Sequence, residues 1–288
     1  MQQSTQHETP TRIVSPHGAA LGVVCRPHRT LSPYNIGVVF VPGGFQYRAG
    51  AHRQTVRLAR QLASNGIPSL RFDLAGLGDA TGEMHAFEDI SPQILAASDT
   101  LTKELPEIRH IVLWGLCDGA SAALLHWEAT RDARIAGLAL LNPWVRSEAS
   151  LARAHVRHYY LKRLANKAFW QKLLTGGVGF NAVGALLNNL RAARTTEAAP
   201  QASFQKRMAK TCLEFSGETL VLISESDITG QEFLNTLKHD PLWAGCLARK
   251  NIRLVSLPYA DHTCAAPAAD QALQNAVITW IKSIKTIK

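Results

Sequence analysis

Short apolar runs alternate with segments of helical periodicity along most of this chain, and this alternation is the strongest constraint on its fold. Strands that are joined by helical crossovers run parallel to one another. The sequence therefore predicts an α/β fold, with a mostly parallel central sheet flanked by helices. Strands are predicted at residues 21–25, 36–41, 69–72, 110–114, 135–141, 219–224 and 252–257. Helices are predicted at residues 52–64, 91–105, 118–129, 231–237 and 271–285.

The alternation stops between residues 141 and 219, where helical patterns appear near 148–174 and 182–193. A structureless loop of that length is uncommon inside a compact domain, so we predict an inserted helical cap. The expected organisation is a first core part at 1–144, the cap at 145–218 and a second core part at 219–288. The chain has a formal net charge of +9, and twelve Lys or Arg residues against four Asp or Glu place most of it in the cap.

The basic cap predicts an anionic partner. A phosphate, a sugar acid or a carrier-bound acyl group on a small-molecule substrate would fit, and so would peripheral contact with an anionic membrane surface. A positive face that only meets solvent is the alternative. Nucleic acid is not expected, because no recognised binding module accompanies the charge.

Residues 112–121 form an apolar run that breaks into Gly-x-Cys-x-Gly and continues as a helix. This pattern is typical of a nucleophile elbow, in which a sharp strand-to-helix turn exposes the central residue. Gly115 and Gly119 leave room for the strained turn, and Cys117 takes the place of the nucleophile. The helix N-terminus would favour a thiolate there. The alternative is a buried cysteine between two incidental glycines.

A nucleophilic cysteine needs a base and an acid that orients it. Asp227 follows the strand predicted at 219–224, and His262 follows the next strand. Because ligand sites lie at the carboxyl ends of parallel strands, both loops are expected to open beside Cys117. Asp227 would hold one nitrogen of His262 while the other accepts the thiol proton. Glu225 and Asp261 are alternative acids, and a solvated loop histidine is the alternative for His262.

The oxyanion hole is expected from backbone N–H groups of Asp118 and of the Pro-Gly-Gly loop after the strand at 36–41. Phe45 is the favoured donor in that loop, with Gly44 the alternative. The nearby polar residues are candidate substrate ligands. The alternative is that they only lie in solvent at the start of a helix. These candidates are Gln46, Arg48 and His52.

Neither a metal nor a cofactor is expected, since the five cysteines are odd in number and include no Cys-x-x-Cys pair. They are expected to be reduced thiols. No run of about 20 apolar residues and no N-terminal signal pattern occurs, which predicts a cytoplasmic protein.

The elbow, the Pro-Gly-Gly loop and the ordered acid and histidine resemble the α/β-hydrolase superfamily over nearly all the chain beyond residue 21. More narrowly, residues 41–48, 113–118 and 141–148 resemble the exosortase A system-associated hydrolases of type 1. This resemblance implies a bacterial hydrolase, or an acyltransferase, that is linked to exopolysaccharide biosynthesis and acts through Cys117, Asp227 and His262. The cysteine is also similar to that of dienelactone hydrolases, which lack a long basic cap. A non-catalytic binding protein of the same fold is the alternative.

Overall fold

The computed structural model describes residues 6–27, 35–146 and 203–284. Within these residues eight strands form one sheet in the order β1-β2-β4-β3-β5-β6-β7-β8. The pairs β1–β2 and β2–β4 are antiparallel, and all later pairs are parallel. The mostly parallel sheet predicted from the sequence is therefore confirmed. The strands are β1 (Gln6–Ser15), β2 (Gly18–Pro27), β3 (Ile36–Val41), β4 (Ser69–Phe72), β5 (His110–Leu116), β6 (Ile135–Leu141), β7 (Glu218–Ser224) and β8 (Ile252–Leu257).

Helices cover both faces of this sheet. Those in the described residues are α1 (Gln54–Ser64), α2 (Ser91–Glu104), α3 (Asp118–Thr130), α4 (Phe204–Glu214), α5 (Ile228–His239) and α6 (Pro267–Ser283). Apolar residues of α2, α3, α4 and α5 form the core on one face, and those of α1 and α6 form the core on the other. A sheet covered on both faces needs strands that are apolar throughout, and β3 and β6 are buried along their whole length.

The side chains of β3 and β5 alternate between the two cores, as the two-residue period of a strand requires. Val39 and Leu113 belong to the core beneath α2 and α3. Phe40 and Trp114 belong to the core beneath α1 and α6, where their rings meet edge to face at 5.3 Å. The register of the central strands is thus set by packing on both faces.

Strand β1 is an element that the sequence did not predict. It forms a long antiparallel pair with β2 at the edge of the sheet, in register from Gln6 opposite Pro27 to Ser15 opposite Gly18. Its polar composition and Pro10 hide the strand signal, but an edge strand tolerates a proline. Ile13, which is 2% exposed, is its contribution to the core.

The chain divides into two units, residues 1–145 with 203–288, and residues 146–202. The cap was predicted to extend to residue 218, but α4 lies with the core. Its Thr211 hydroxyl donates to the Leu124 carbonyl of α3 at 2.9 Å, and Arg207 pairs with Glu128 of α3 at 3.0 Å. The predicted helices of the cap and most of its basic residues fall outside the described residues.

The parallel connections bring the loops that follow β3, β5, β6, β7 and β8 to one edge of the sheet. The candidate residues of the sequence lie in these loops. Among the described helices, none combines the length and the apolar character that a membrane crossing requires.

Candidate active site

Cys117 stands on a strained turn between β5 and α3. Its backbone angles, φ 59° and ψ −125°, lie in a region that costs a non-glycine residue about 1–3 kcal/mol. Backbone hydrogen bonds hold the turn in place. The Cys117 N–H donates to the Leu141 carbonyl at 2.9 Å, and the Cys117 carbonyl accepts from Ala120 at 3.1 Å and from Trp144 at 3.2 Å. The local geometry is that of a nucleophile elbow.

The two glycines of the elbow are required by close packing. A Cβ atom on Gly115 would lie 2.5 Å from the backbone nitrogen of Ala120, and one on Gly119 would lie 2.6 Å from the carbonyl oxygen of Val41. Both contacts are with backbone atoms, which have little room to move. Any side chain at either position would therefore distort the turn that presents Cys117.

Cys117 differs from the other four cysteines in its exposure. All five are free thiols, and Cys117 alone is not buried. Burial raises the pKa of the Cys25 thiol to about 12 and that of the Cys264 thiol to about 11. Because thiolates are the reactive form, these buried thiols are inert at neutral pH. Cys117 is thus the thiol that a reagent from solution reaches.

The structure brings Asp227 and His262 together. Asp227 Oδ2 lies 3.0 Å from His262 Nδ1, with side-chain exposures of 9% for the aspartate and 37% for the histidine. The same oxygen accepts the Gly230 N–H at 2.8 Å, because Asp227 is also the N-cap of α5. Two contacts therefore hold the Asp227 carboxylate in place. Because the first of them uses Nδ1 of the histidine, it leaves Nε2 available for a proton.

The two alternative acids are occupied elsewhere. Glu225 Oε1 accepts the hydroxyl of Ser256 at 2.9 Å. Asp261 Oδ1 accepts the backbone N–H groups of Thr263 at 3.2 Å and Ala265 at 2.9 Å, which closes its own loop. Neither carboxylate contacts the His262 ring in the described structure, whereas Asp227 Oδ2 lies 3.0 Å from its Nδ1.

Asp118 contributes more than a backbone N–H. Its carboxylate accepts the Gly44 N–H at 2.9 Å and the Gly119 N–H at 3.0 Å, which ties the Pro-Gly-Gly loop to the elbow. Burial raises the pKa of Asp118, and these two hydrogen bonds and the charge of His262 oppose that effect.

The same contact distinguishes the two predicted oxyanion donors of the Pro-Gly-Gly loop. The Gly44 N–H is occupied by the Asp118 carboxylate. The Phe45 N–H makes no hydrogen bond to another described residue, and the Phe45 side chain is 82% exposed. Phe45 is therefore the better placed of the two to offer a free donor.

Asn142 is a site residue that sequence reasoning missed. It follows β6 with a left-handed φ of 47° and is fully buried. Its side-chain amide contacts Ser224 at the end of β7 and the backbone carbonyl of His262. The sequence feature that could have pointed to Asn142 is an asparagine directly after a fully apolar strand. A buried amide needs hydrogen-bond partners, and asparagine tolerates a left-handed backbone conformation.

The three predicted substrate ligands have different surroundings. Arg48 is only 10% exposed and pairs with Asp73 and, at 2.7 Å, with Asp79. This arrangement favours a structural role over the predicted substrate contact, because the guanidinium already has two carboxylate partners. Gln46 closes a turn through its N–H to the Gly43 carbonyl at 3.3 Å. Its substrate contact stays a prediction.

His52 lies in a groove between α1 and the start of α6, with a volume of about 590 Å³. Arg57 and Asp270, which form an ion pair at 2.8 Å, also line this groove. None of Cys117, Asp227 and His262 is among its lining residues. A contact between His52 and a substrate held at Cys117 stays a prediction.

Because Arg48 is paired with two carboxylates, substituting it should lower the stability of the fold. In Arg48→Met the Asp73 carboxylate, which is fully buried, loses its cation and keeps only backbone donors. We expect the free energy of unfolding in urea to fall by on the order of 3 kcal/mol. Adding Asp73→Asn should recover part of that loss, because the unpaired charge is then gone. A single variant as stable as the wild type would contradict this role.

Comparison with known proteins agrees with the fold. Residues 38–274 match the model of the alpha/beta hydrolase family, and the chain belongs to that family. No curated protein is significantly similar to it in sequence.

Several solved structures share the fold. One is an α/β serine hydrolase without a lid from Xanthomonas campestris, with 15% identity, a TM-score of 0.57 and 95% of each chain covered. Another is an esterase from Pyrococcus furiosus, with 14% identity, a TM-score of 0.61 and coverage of 96% of this chain and 90% of the other. A third is Est1E from Butyrivibrio proteoclasticus, with 16% identity, a TM-score of 0.58 and coverage of 95% and 99%. At these identities the likeness concerns the fold.

Proposed function

We propose that this α/β hydrolase cleaves an ester, thioester or related acyl bond with Cys117 as nucleophile, His262 as base and Asp227 as the acid that orients it. The observation that carries the proposal is the 3.0 Å contact between Asp227 Oδ2 and His262 Nδ1, at the same edge of the sheet as an elbow whose central residue is a half-buried cysteine. An oriented imidazole beside a nucleophile is the common requirement of such triads.

The reaction has two stages. His262 Nε2 takes the proton from the Cys117 thiol, and the thiolate attacks the acyl carbon to give a tetrahedral oxyanion. Its collapse breaks the bond to the leaving group, which takes the proton from the imidazolium and departs as an alcohol or thiol. Water, or another acceptor, then loses its proton to His262 and attacks the acyl-thioenzyme. The acyl product leaves, and the proton returns to the sulfur of Cys117.

The oxyanion would be stabilised by the backbone N–H groups of Asp118 and Phe45. The first lies at the start of α3, where the helix dipole is favourable, and the second is a loop donor that makes no hydrogen bond to another described residue. In this arrangement Gly44 acts differently. Its N–H, held by the Asp118 carboxylate, fixes the loop against the elbow.

The finer assignment follows the resemblance of residues 41–48, 113–118 and 141–148. We propose a bacterial acyl hydrolase or acyltransferase linked to exosortase systems and exopolysaccharide synthesis. Thioesters exchange readily with thiols and amines, so the cysteine suits transfer as well as hydrolysis. The anionic or carrier-bound substrate, the membrane contact of the basic segment and the cytoplasmic location stay predictions.

An acyl-thioenzyme is the direct test. Incubation with a p-nitrophenyl ester should add the mass of one acyl group to the intact protein, and peptide mapping should place it on Cys117. Cys117→Ala should show no adduct under the same conditions. The four buried cysteines provide an internal control, since they should stay unmodified. A stable adduct on another residue, or turnover without any adduct on Cys117, would count against the proposal.

One observation favours the alternative of a non-catalytic binding protein. The carboxylate of Asp118 accepts the N–H of Gly44, the residue before the expected oxyanion donor Phe45, and a negative charge near that donor opposes a developing oxyanion. Burial raises the pKa of this group, which lessens that opposition. If Cys117 alkylates with iodoacetamide as an ordinary thiol, with no dependence on His262, the binding function is the better description.

A further inference from the structure

We propose that Asn142 is a positioning residue, whose buried side-chain amide holds His262 in line with Asp227. The proposal rests on the proposed function, because it assigns a partner to the base of that same site. Asn142 stands at the carboxyl end of β6, between the elbow of Cys117 and the loops that carry the acid and the histidine.

The hydrogen bonds of this amide connect two strand ends. Nδ2 donates to the Ser224 hydroxyl at 3.0 Å and to the His262 carbonyl at 3.1 Å. Oδ1 accepts the Ser224 N–H at 2.8 Å. Both donor hydrogens and one acceptor position are thus used, and the side chain is fully buried. A buried amide in such a network holds its partners in a single arrangement.

The helix that Asp227 caps packs against the same amide. A Cβ atom on Gly230 would lie 2.4 Å from Asn142 Oδ1, so the first turn of α5 lies directly on Asn142. The N–H of Gly230 donates to Asp227 Oδ2, the oxygen that His262 Nδ1 contacts. The Asn142 amide therefore contacts both the first turn of α5, which Asp227 caps, and the loop that carries His262.

The elbow adjoins this support through the backbone. The Cys117 N–H donates to the carbonyl of Leu141, the residue before Asn142, and the Asn142 N–H donates to the Leu222 carbonyl of β7 at 3.0 Å. A shift of Asn142 would therefore move the histidine relative to the sulfur. A misplacement of about 1 Å between reacting groups can cost about 100-fold in rate.

Two substitutions distinguish the role of the Asn142 side-chain amide from that of its backbone conformation. Asn142→Gly removes the side chain and keeps the left-handed φ of 47°, which glycine adopts without strain. Asn142→Asp keeps the shape and the acceptor for the Ser224 N–H but loses both Nδ2 donors, and its carboxylate faces the His262 carbonyl. Ser224→Ala is the matched control, because it removes one partner of Nδ2 and leaves the contact with His262.

The readout is the Nδ1 proton of His262 in proton NMR of ¹⁵N-labelled protein. Because Nδ1 lies 3.0 Å from Asp227 Oδ2, this proton should give a downfield signal, which is assigned by its loss in His262→Gln. We expect that signal in the wild type and in Ser224→Ala, and its loss or upfield shift in both Asn142 variants. The value of kcat/KM should fall about 10- to 100-fold in those two variants and stay near the wild type in Ser224→Ala.

The proposal is overturned if either Asn142 variant folds and keeps both the signal and the wild-type kcat/KM. It is also overturned if neither folds by circular dichroism, since Asn142 would then serve the fold alone. The NMR signal does not depend on the nucleophile. If Cys117→Ala retains turnover, the proposed function fails while the role of Asn142 is still tested by the proton of His262.

Discussion

Cys117→Ala is expected to lower kcat for an activated ester by about 10⁶-fold, the scale on which triad enzymes lose activity with their nucleophile. The substitution removes the sulfur that would form the acyl-enzyme and should leave the elbow backbone intact. The measurement is release of p-nitrophenol under steady-state conditions, together with a circular dichroism spectrum to show that the variant folds.

Two further variants show that the loss belongs to this thiol. Cys117→Ser keeps an oxygen nucleophile beside the imidazole and should retain more activity than the alanine variant. Cys25→Ala removes a buried thiol from β2, away from the carboxyl edge of the sheet, and should keep the wild-type rate per folded molecule. Wild-type turnover by Cys117→Ala would exclude Cys117 as the nucleophile.

His262→Gln is expected to reduce kcat by about 10²- to 10⁴-fold, the range that a positioned general base contributes. It should also change the pH dependence of Cys117 alkylation by iodoacetamide. Without the imidazole, the thiolate should form only as the pH approaches the ordinary thiol range, about 8.5. The rate of alkylation at neutral pH should therefore fall.

The control for this variant is His239→Gln, which changes an exposed histidine at the end of α5. It should leave both the kcat and the alkylation profile unchanged. If the pH profile of His262→Gln matches that of the wild type, the histidine does not act on the thiol, and the non-catalytic alternative gains support.

The fold was predictable where the packing is most regular. The strands β3, β5 and β6 lie in the middle of the sheet and are covered on both faces, so their sequences are apolar and stand out from the helices between them. The edge of the sheet was not predictable in the same way. Strand β1 has one covered face and contains Pro10, so its own sequence does not show a strand pattern. Its extended conformation depends on antiparallel pairing with β2.

The candidate site was predictable only as a set of residue types at strand ends. The elbow around Cys117 has a local signature, because the close approach of backbone atoms excludes side chains at Gly115 and Gly119. Asp227 and His262 have no such signature by themselves. The expectation for them came from the order of the residues along the chain, and the choice of Asp227 over Glu225 required the geometry.

The sequence by itself determined the alternation that produces a parallel sheet, the turn that exposes Cys117 and the loops in which an acid and a histidine would meet. These follow from local spacing, which backbone geometry converts directly into structure. Tertiary structure alone decided that Asp227 contacts His262, that Arg48 is held by Asp73 and Asp79, that Gly44 is occupied by Asp118, and that Asn142 supports the histidine. Each of these is a contact between residues that are distant in the chain. Such contacts depend on burial and hydrogen-bond geometry, and spacing along the sequence encodes neither.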